Sequence, residues 1–374
     1  MLRVPPARIY FSEEDRASIL KSIDESLLTG QLTLGKNVKQ FEDEFAEYIG
    51  VKHAVAVNSG TSSIQIPMHI FNVREKEVIV PTNTFFATAL AVMHAGGILR
   101  FVDADQSTFS VDVADLKRRI TEKTVGVIVV HIGGIVSPAI LEVQKICKER
   151  NIFLFEDAAH AHGSSYRGQM AGTFGEAASF SFYPTKLITS GEGGMIVTNS
   201  DTIDQESRLY RDQGKATFTA NIHNKLGYNW RMSEPHAAIG LTHFRRLPGF
   251  IEERARIARI YDHNLRGIAG LTPLSLPEGV ESNYYKYICM IDDHVDRARL
   301  KKVMREDFGV GLAGEVYELP VHLQPYFEGA YKKGDFPNAE YICAHHICLP
   351  IYQNMTREEA EYVVHSLRLA INRI

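Results

Sequence analysis

Three stretches of the 374-residue chain hold side chains that could do chemistry together. The sharpest runs Ser179-Phe-Ser181-Phe-Tyr-Pro-Thr185-Lys186 and continues through Gly191-Glu192-Gly193-Gly194 into Met195 to Thr198. Lys186 stands alone between an aromatic run and a glycine-rich turn. An amine shielded from water loses basicity, becomes a nucleophile and can hold an aldehyde cofactor as an imine. Composition alone reads the same residue as a surface lysine in a loop. The second stretch is Glu156-Asp157-Ala158-Ala159-His160-Ala161-His162-Gly163, after the mostly apolar run from Asn151 to Phe155. It sets Asp157 at the edge of the core, where a carboxylate needs a cation or a donor opposite it. Its small residues leave room for something that is not protein. A metal is one candidate, but no third strong ligand joins the acids and histidines. The third stretch, Ser59-Gly60-Thr61-Ser62-Ser63, lies between a strand and a helical segment. Its N–H groups and hydroxyls could cradle a phosphate at a helix amino terminus, or serve only as a loop and helix cap. It lacks the spacing of a nucleoside-triphosphate loop.

The elements that must position these residues alternate. Helices are predicted over residues 12 to 30 and around 37 to 48, the first with Ser12 as its start and Gly30 as its stop. Apolar runs at 53 to 57, 77 to 80, 97 to 102, 124 to 131 and 151 to 155 are separated by stretches of helical length, which predicts an α/β sheet covered on both faces. The chemical residues fall at strand exits, where such sheets bind ligands. Beyond about residue 245 the texture changes to an arginine-rich helix (246 to about 265), a proline-marked link (273 to 277), a strand-like run from Tyr284 to Met290, a helix near 296 to 308 and a last helix from about Thr356. The expectation is a large domain over 1–245, a small C-terminal α/β domain over 246–374, and amino-terminal residues packed on the latter.

Composition narrows the function classes. A hydrophobic fraction of 45% and a charged fraction of 23% are those of a globular chain, and a net charge of −4 argues against a coat for nucleic acid or anionic membrane. No apolar stretch is long enough to span a bilayer and the first residues lack a signal-peptide core, so the expected location is the cytoplasm. Cys147, Cys289, Cys343 and Cys348 form no disulfide pattern, and the Cys343-Ala-His-His-Ile-Cys348 spacing fits no usual zinc site. The helix from Arg246 to Arg259 is laced with Glu252 and Glu253 and reads as a solvated face.

Six stretches in order carry a resemblance: Asn58-Ser-Gly-Thr61, Pro81-Thr-Asn-Thr-Phe-Phe-Ala-Thr88, Glu156 to Gly163, Phe180 to Lys186, Gly191-Glu-Gly-Gly194 and Gly227-Tyr-Asn-Trp-Arg-Met232. From about residue 8 to its end the chain resembles the DegT/DnrJ/EryC1/StrS family of pyridoxal-phosphate sugar aminotransferases. The resemblance implies fold type I, with a mostly parallel central sheet flanked by helices. It implies Lys186 as the amine that holds the cofactor and then shuttles a proton, Asp157 on the pyridine nitrogen, His160 near the phenolic oxygen and Phe85 stacked on the ring. Gly60, Thr61 and Ser181 would hold the phosphate, completed by Asn229 from the neighbouring subunit of a homodimer. The implied reaction moves an amino group, with L-glutamate as donor and pyridoxamine phosphate as the intermediate cofactor form, to a nucleotide-linked keto sugar. A cyclitol or other non-nucleotide ketone, or sugar dehydration, are the alternatives; Lys186 favours transamination over the dehydratase branch, which has histidine there. The chain departs from the family at Pro67, where a kink or shortened first turns of the helix are expected, at His131-Ile-Gly-Gly in place of His-Leu-Tyr-Gly, and at Trp230.

Overall fold

The computed structural model describes residues 3–217 and 221–374. The five apolar runs form strands β1 (His53–Val57), β2 (Glu77–Pro81), β3 (Ile98–Val102), β4 (Thr124–Val130) and β5 (Phe153–Asp157). Between and before them lie α1 (Glu13–Thr29), α2 (Lys36–Ile49), α3 (Gly60–Ile70) and α4 (Phe86–His94). Ser12 and Asp15 form a capping box on α1, and Gly30 ends it in the left-handed conformation. The α3 helix runs unbroken through Pro67, so the expected shortening does not occur. Proline stands in the eighth of its eleven residues, where it costs one intrahelical bond and leaves the first turn intact.

The central sheet has seven strands in the order β1, Gly194–Thr198, Ala177–Ser181, β5, β4, β2, β3. All run parallel except Gly194–Thr198, which is antiparallel to both neighbours. Strand residues alternate between two cores: Ala54, Ala56, Val127 and Val129 pack on one face, while Val55, Val57, Ile128 and Val130 pack on the other. That two-residue period, with both faces apolar, is what a sheet covered by helices on each side requires.

The parallel strands all end on one edge, so Asn58, Thr82, His131, Ala158 and Phe182 leave the sheet on the same side. The reversed strand brings Gly194 to that edge, beside Val57 and Ser181.

Strand β1 is a sheet edge, and side chains take the place of a neighbouring strand. Glu42 on α2 accepts from the Ala56 N–H at 2.9 Å, while Arg211 and Arg208 donate to the Ala56 and Ala54 carbonyls at 2.8 and 3.1 Å. Both guanidiniums also pair with the Glu42 carboxylate. The unpaired backbone of an edge strand is thereby satisfied and shielded.

A second, three-stranded antiparallel sheet orders Leu271–Pro273, Tyr287–Ile291 and His346–Leu349, packed by helices Leu247–Asn264, Arg297–Glu306 and Arg357–Ile371. Their core includes Val4, which bridges Val310. The later chain also reaches the large sheet: Val316, Val321, Phe327 and Phe336 pack in the core of β2 and β3. On Leu247–Asn264 the face expected to be solvated contains one exception, because Arg254 is buried and donates to the Tyr284 carbonyl at 2.9 Å. Neither half of the Cys343 to Cys348 segment is free for other use. Both ring nitrogens of His346 are engaged by backbone groups, and the Cys343 thiol meets Asn83.

Burial alone would raise the Glu42 carboxyl, but the two arginines overcome it and hold the group below its ordinary 4.5. A depressed carboxyl contributes stability above its unfolded value and loses it as pH falls through the folded one. Glu42→Gln is therefore expected to lower stability by about 3–5 kcal/mol in urea unfolding at pH 7. The gap between variant and wild type should close as the pH falls below 4.5.

Candidate active site

A cavity of about 480 Å³ opens at the carboxyl edge of the large sheet. Gly60, Thr61, Phe85, Asp157, His160, Ser181 and Lys186 line it, so strand exits far apart in sequence deliver seven of the eight expected site residues to one space. Asn229 does not line this cavity. It is exposed, in a stretch held against β1 by the bond from Asn58 N–H to the Trp230 carbonyl at 2.9 Å.

Asp157 ends β5, buried. Thr88 on α4 donates to one carboxylate oxygen at 2.7 Å and the Ala159 N–H to the other at 3.1 Å. Thr88 is itself bonded to Thr84 at 2.9 Å, which ties the carboxylate to the β2 exit. Burial raises the Asp157 carboxyl above its ordinary range; its donors and the charge of Lys186 offset only part of that. The preceding residue, Glu156, is committed to structure: it accepts from the N–H groups of Gly172, Phe174 and Gly175 and meets His131 Nε2 at 2.8 Å.

Lys186 faces Asp157 across the cavity. Burial lowers its amine, Asp157 opposes that shift, and Lys286 adds to it, leaving the group at about 8. The imidazole of His160 is also pushed down by burial and by Lys186, well below its ordinary value, so the ring is neutral. Its Nδ1 accepts the Gly133 N–H at 3.4 Å, which places the proton on Nε2 and makes His160 a hydrogen-bond donor there. Gly133 has φ +65°, a conformation that residues with a side chain rarely adopt, and a Cβ would stand 2.8 Å from Ile288 Cδ1.

At the other end, the α3 amino terminus meets Ser181. The Ser59 side chain caps the Ser62 N–H, while the first turn leaves the Gly60 and Thr61 N–H groups without intrahelical partners. A Cβ on Gly60 would lie 2.7 Å from Ser181 Cβ, so only glycine lets the helix end approach the serine this closely.

These residues fit pyridoxal phosphate. The buried carboxylate has donors but, among the described residues, no cation in contact, and a pyridinium N–H supplies one. The helix end with Ser181 suits a phosphate, and Lys186 can hold an aldehyde between them.

Sequence reading missed the wall contributed by the later chain, Tyr285, Val316 and Tyr317. Tyr284-Tyr285 lay in a run read only as a strand, and nothing local ties it to residues more than a hundred positions earlier. The strand itself begins at Tyr287, after a turn.

Because an amine reacts as the free base, the cofactor-stripped chain should incorporate pyridoxal phosphate at a rate that rises with pH and reaches its half-point near 8. Stopped-flow absorbance across pH 6 to 10 measures it; a half-point near the ordinary lysine value would refute the shielded amine.

The DegT/DnrJ/EryC1/StrS aminotransferase family model matches residues 13–368. GDP-perosamine synthase of Escherichia coli O157:H7 is 31% identical, over 98% of this chain and 98% of that protein. The dTDP-3-amino-3,4,6-trideoxy-alpha-D-glucose transaminase of Micromonospora megalomicea is 29% identical, over 96% of each. Among solved structures, S. venezuelae DesV in complex with a ketimine intermediate superposes with a TM-score of 0.93 at 29% identity, covering both chains completely. The chain belongs to the DegT/DnrJ/EryC1/StrS aminotransferase family, with the fold type I architecture and pyridoxal-phosphate dependence of that family.

Proposed function

We propose that the chain transfers an amino group from L-glutamate to a keto sugar carried on a nucleoside diphosphate, with Lys186 as its reacting amine. The observation that carries this reading is a single cavity with an amine of lowered basicity, a buried carboxylate and a phosphate cradle, each on a different strand exit. Bound pyridoxal phosphate supplies an aldehyde to carry the amino group and a ring to take up the carbanion's electrons.

This chain's residues do the rest. Asp157, oriented by Thr88 and the Ala159 N–H, holds a proton at the pyridine nitrogen. Neutral His160 offers its Nε2–H to the phenolic oxygen. Gly60, Thr61 and Ser181 bind the phosphate, and exposed Phe85 covers one ring face from the rim. Lys186, once released, is free at the pH of its own titration to take a proton from one carbon and return it to another. Asn229 completes the phosphate clamp of a second copy in a homodimer. Its exposed position outside its own cavity supports that role. The relatives' names include GDP and dTDP sugars, which supports a nucleotide-linked acceptor without selecting the base.

Addition of L-glutamate to the cofactor-loaded enzyme is expected to bleach the visible band and release one equivalent of 2-oxoglutarate, and Lys186→Ala to lower turnover about a thousandfold or more. Normal turnover by that variant would remove Lys186 from the mechanism. Asn229→Ala should weaken pyridoxal-phosphate binding by about tenfold or more, read by titration at limiting cofactor. Unchanged binding would remove Asn229 from the clamp.

A further inference from the structure

Tyr285 enters the site from outside the large sheet, in the turn before the strand Tyr287–Ile291. Its side chain is buried at 8% exposure, and three functional groups surround the ring. The His160 imidazole stacks on it at 4.2 Å and 22°. The Lys186 amine lies 5.4 Å from the ring centroid and the Lys286 amine 5.5 Å from it.

The backbone that delivers this ring is held by buried polar contacts from Asn283 and Arg254. Asn283, fully buried, donates to the carbonyls of His160 and His162 at 2.8 and 3.0 Å and accepts the Tyr285 N–H at 2.8 Å. Arg254 donates to the Tyr284 carbonyl at 2.9 Å and reaches the Tyr285 carbonyl at 3.4 Å, with no carboxylate bonded to it among the described residues. Tyr284 adopts φ +50°, a strained conformation for a residue with a side chain. Gly134 has to be glycine, since a Cβ there would stand 2.1 Å from Asn283 Oδ1. A buried arginine and a strained tyrosine both cost stability, and the ring they place in the cavity is Tyr285.

We propose that Tyr285 is a positioning residue for the reaction: its ring keeps water from the Lys186 amine and fixes the plane of His160. The proposal rests on the reading of Lys186 as the cofactor's amine. Among the groups around that amine, His160, His162 and Tyr317 are buried and neutral, and the Tyr285 hydroxyl meets Thr185. Asp157 and Lys286 are the opposing charges there, and Glu192 is the other carboxyl group lining the cavity. Without the ring, water reaches the amine from the Tyr285 side and the desolvation that lowers it is relieved.

The test measures the rate at which the cofactor-stripped, full-length chain takes up pyridoxal phosphate, from pH 6 to 10, for wild type, Tyr285→Phe and Tyr285→Leu. The phenylalanine variant keeps the ring and should retain the wild-type half-point. In the leucine variant the half-point is expected to rise by about one pH unit or more. The same variant, once loaded, should lose about tenfold or more in kcat with glutamate while KM stays within about threefold. If Tyr285→Leu melts too low to load, Tyr285→Met, similar in volume but with an unbranched side chain that adapts to an irregular space, carries the same expectation. A half-point unchanged in the leucine or methionine variant overturns the proposal. Lys186→Ala is the control: if it develops the visible band as wild type does, the lysine assignment falls and this proposal with it. Loss of the band in Lys186→Ala with an unmoved Tyr285 variant overturns the tyrosine role alone.

Discussion

A carboxylate and an amine held out of water, facing each other without an ion-pair contact, are the constraint around which this molecule is organised. Either group alone would be expelled from so enclosed a space or would neutralise itself. Asp157 stays because Thr88 and a backbone N–H satisfy it, and Lys186 because its basicity can fall toward neutrality. In the proposed function a cationic ring nitrogen at one end of that gap and an aldehyde at the other would complete the electrostatics, and bound cofactor would resolve a mismatch already present in the protein.

Holding that mismatch open takes rigid support, and the support is layered. The carboxylate is on a central strand, flanked by β4 and Ala177–Ser181, and its hydroxyl partner, Thr88 on α4, is bonded in turn to Thr84 at the exit of β2. One residue earlier, Glu156 binds three backbone N–H groups and His131, so the turn from Asp157 to Gly163 starts from a fixed point. The later chain closes the far wall through Asn283, Arg254 and Tyr285. The phosphate end depends on steric closeness: Gly60 against Ser181, brought together by one reversed strand between β1 and Ala177–Ser181.

Much of this was legible in the sequence, for identifiable reasons. The five apolar runs became β1 to β5 because strands buried on both faces need no polar alternation, and that signal is local. The Ser12 and Gly30 limits of α1 were readable because caps are side-chain and φ preferences of single residues. Lys186, Asp157 and the Ser59 to Ser63 loop stood out by type and spacing, and the family resemblance placed them in one site. Tyr285 and Arg254 were not legible. Their roles arise from pairings between distant segments, and each alone looks like an ordinary strand tyrosine or a charged residue on a solvated helix. Pro67 misled in the opposite sense, since a proline late in a helix leaves its beginning unchanged.

The reversed strand Gly194–Thr198 also sets the order in which the molecule can be built. β1 leaves the ribosome early, but its partner lies beyond β5 and Lys186, so the phosphate loop has nothing to close against until Thr198 has been made. The last wall waits longer still, for the turn at Asn283 to Tyr285 and then for Val316 and Tyr317. Pairings between such distant segments are slow to form and leave apolar edges open meanwhile. The side chains of Glu42, Arg208 and Arg211 cover the outer edge of β1, but two of the three also emerge after Thr198, so during synthesis that edge stays unpaired until Arg211 has been made.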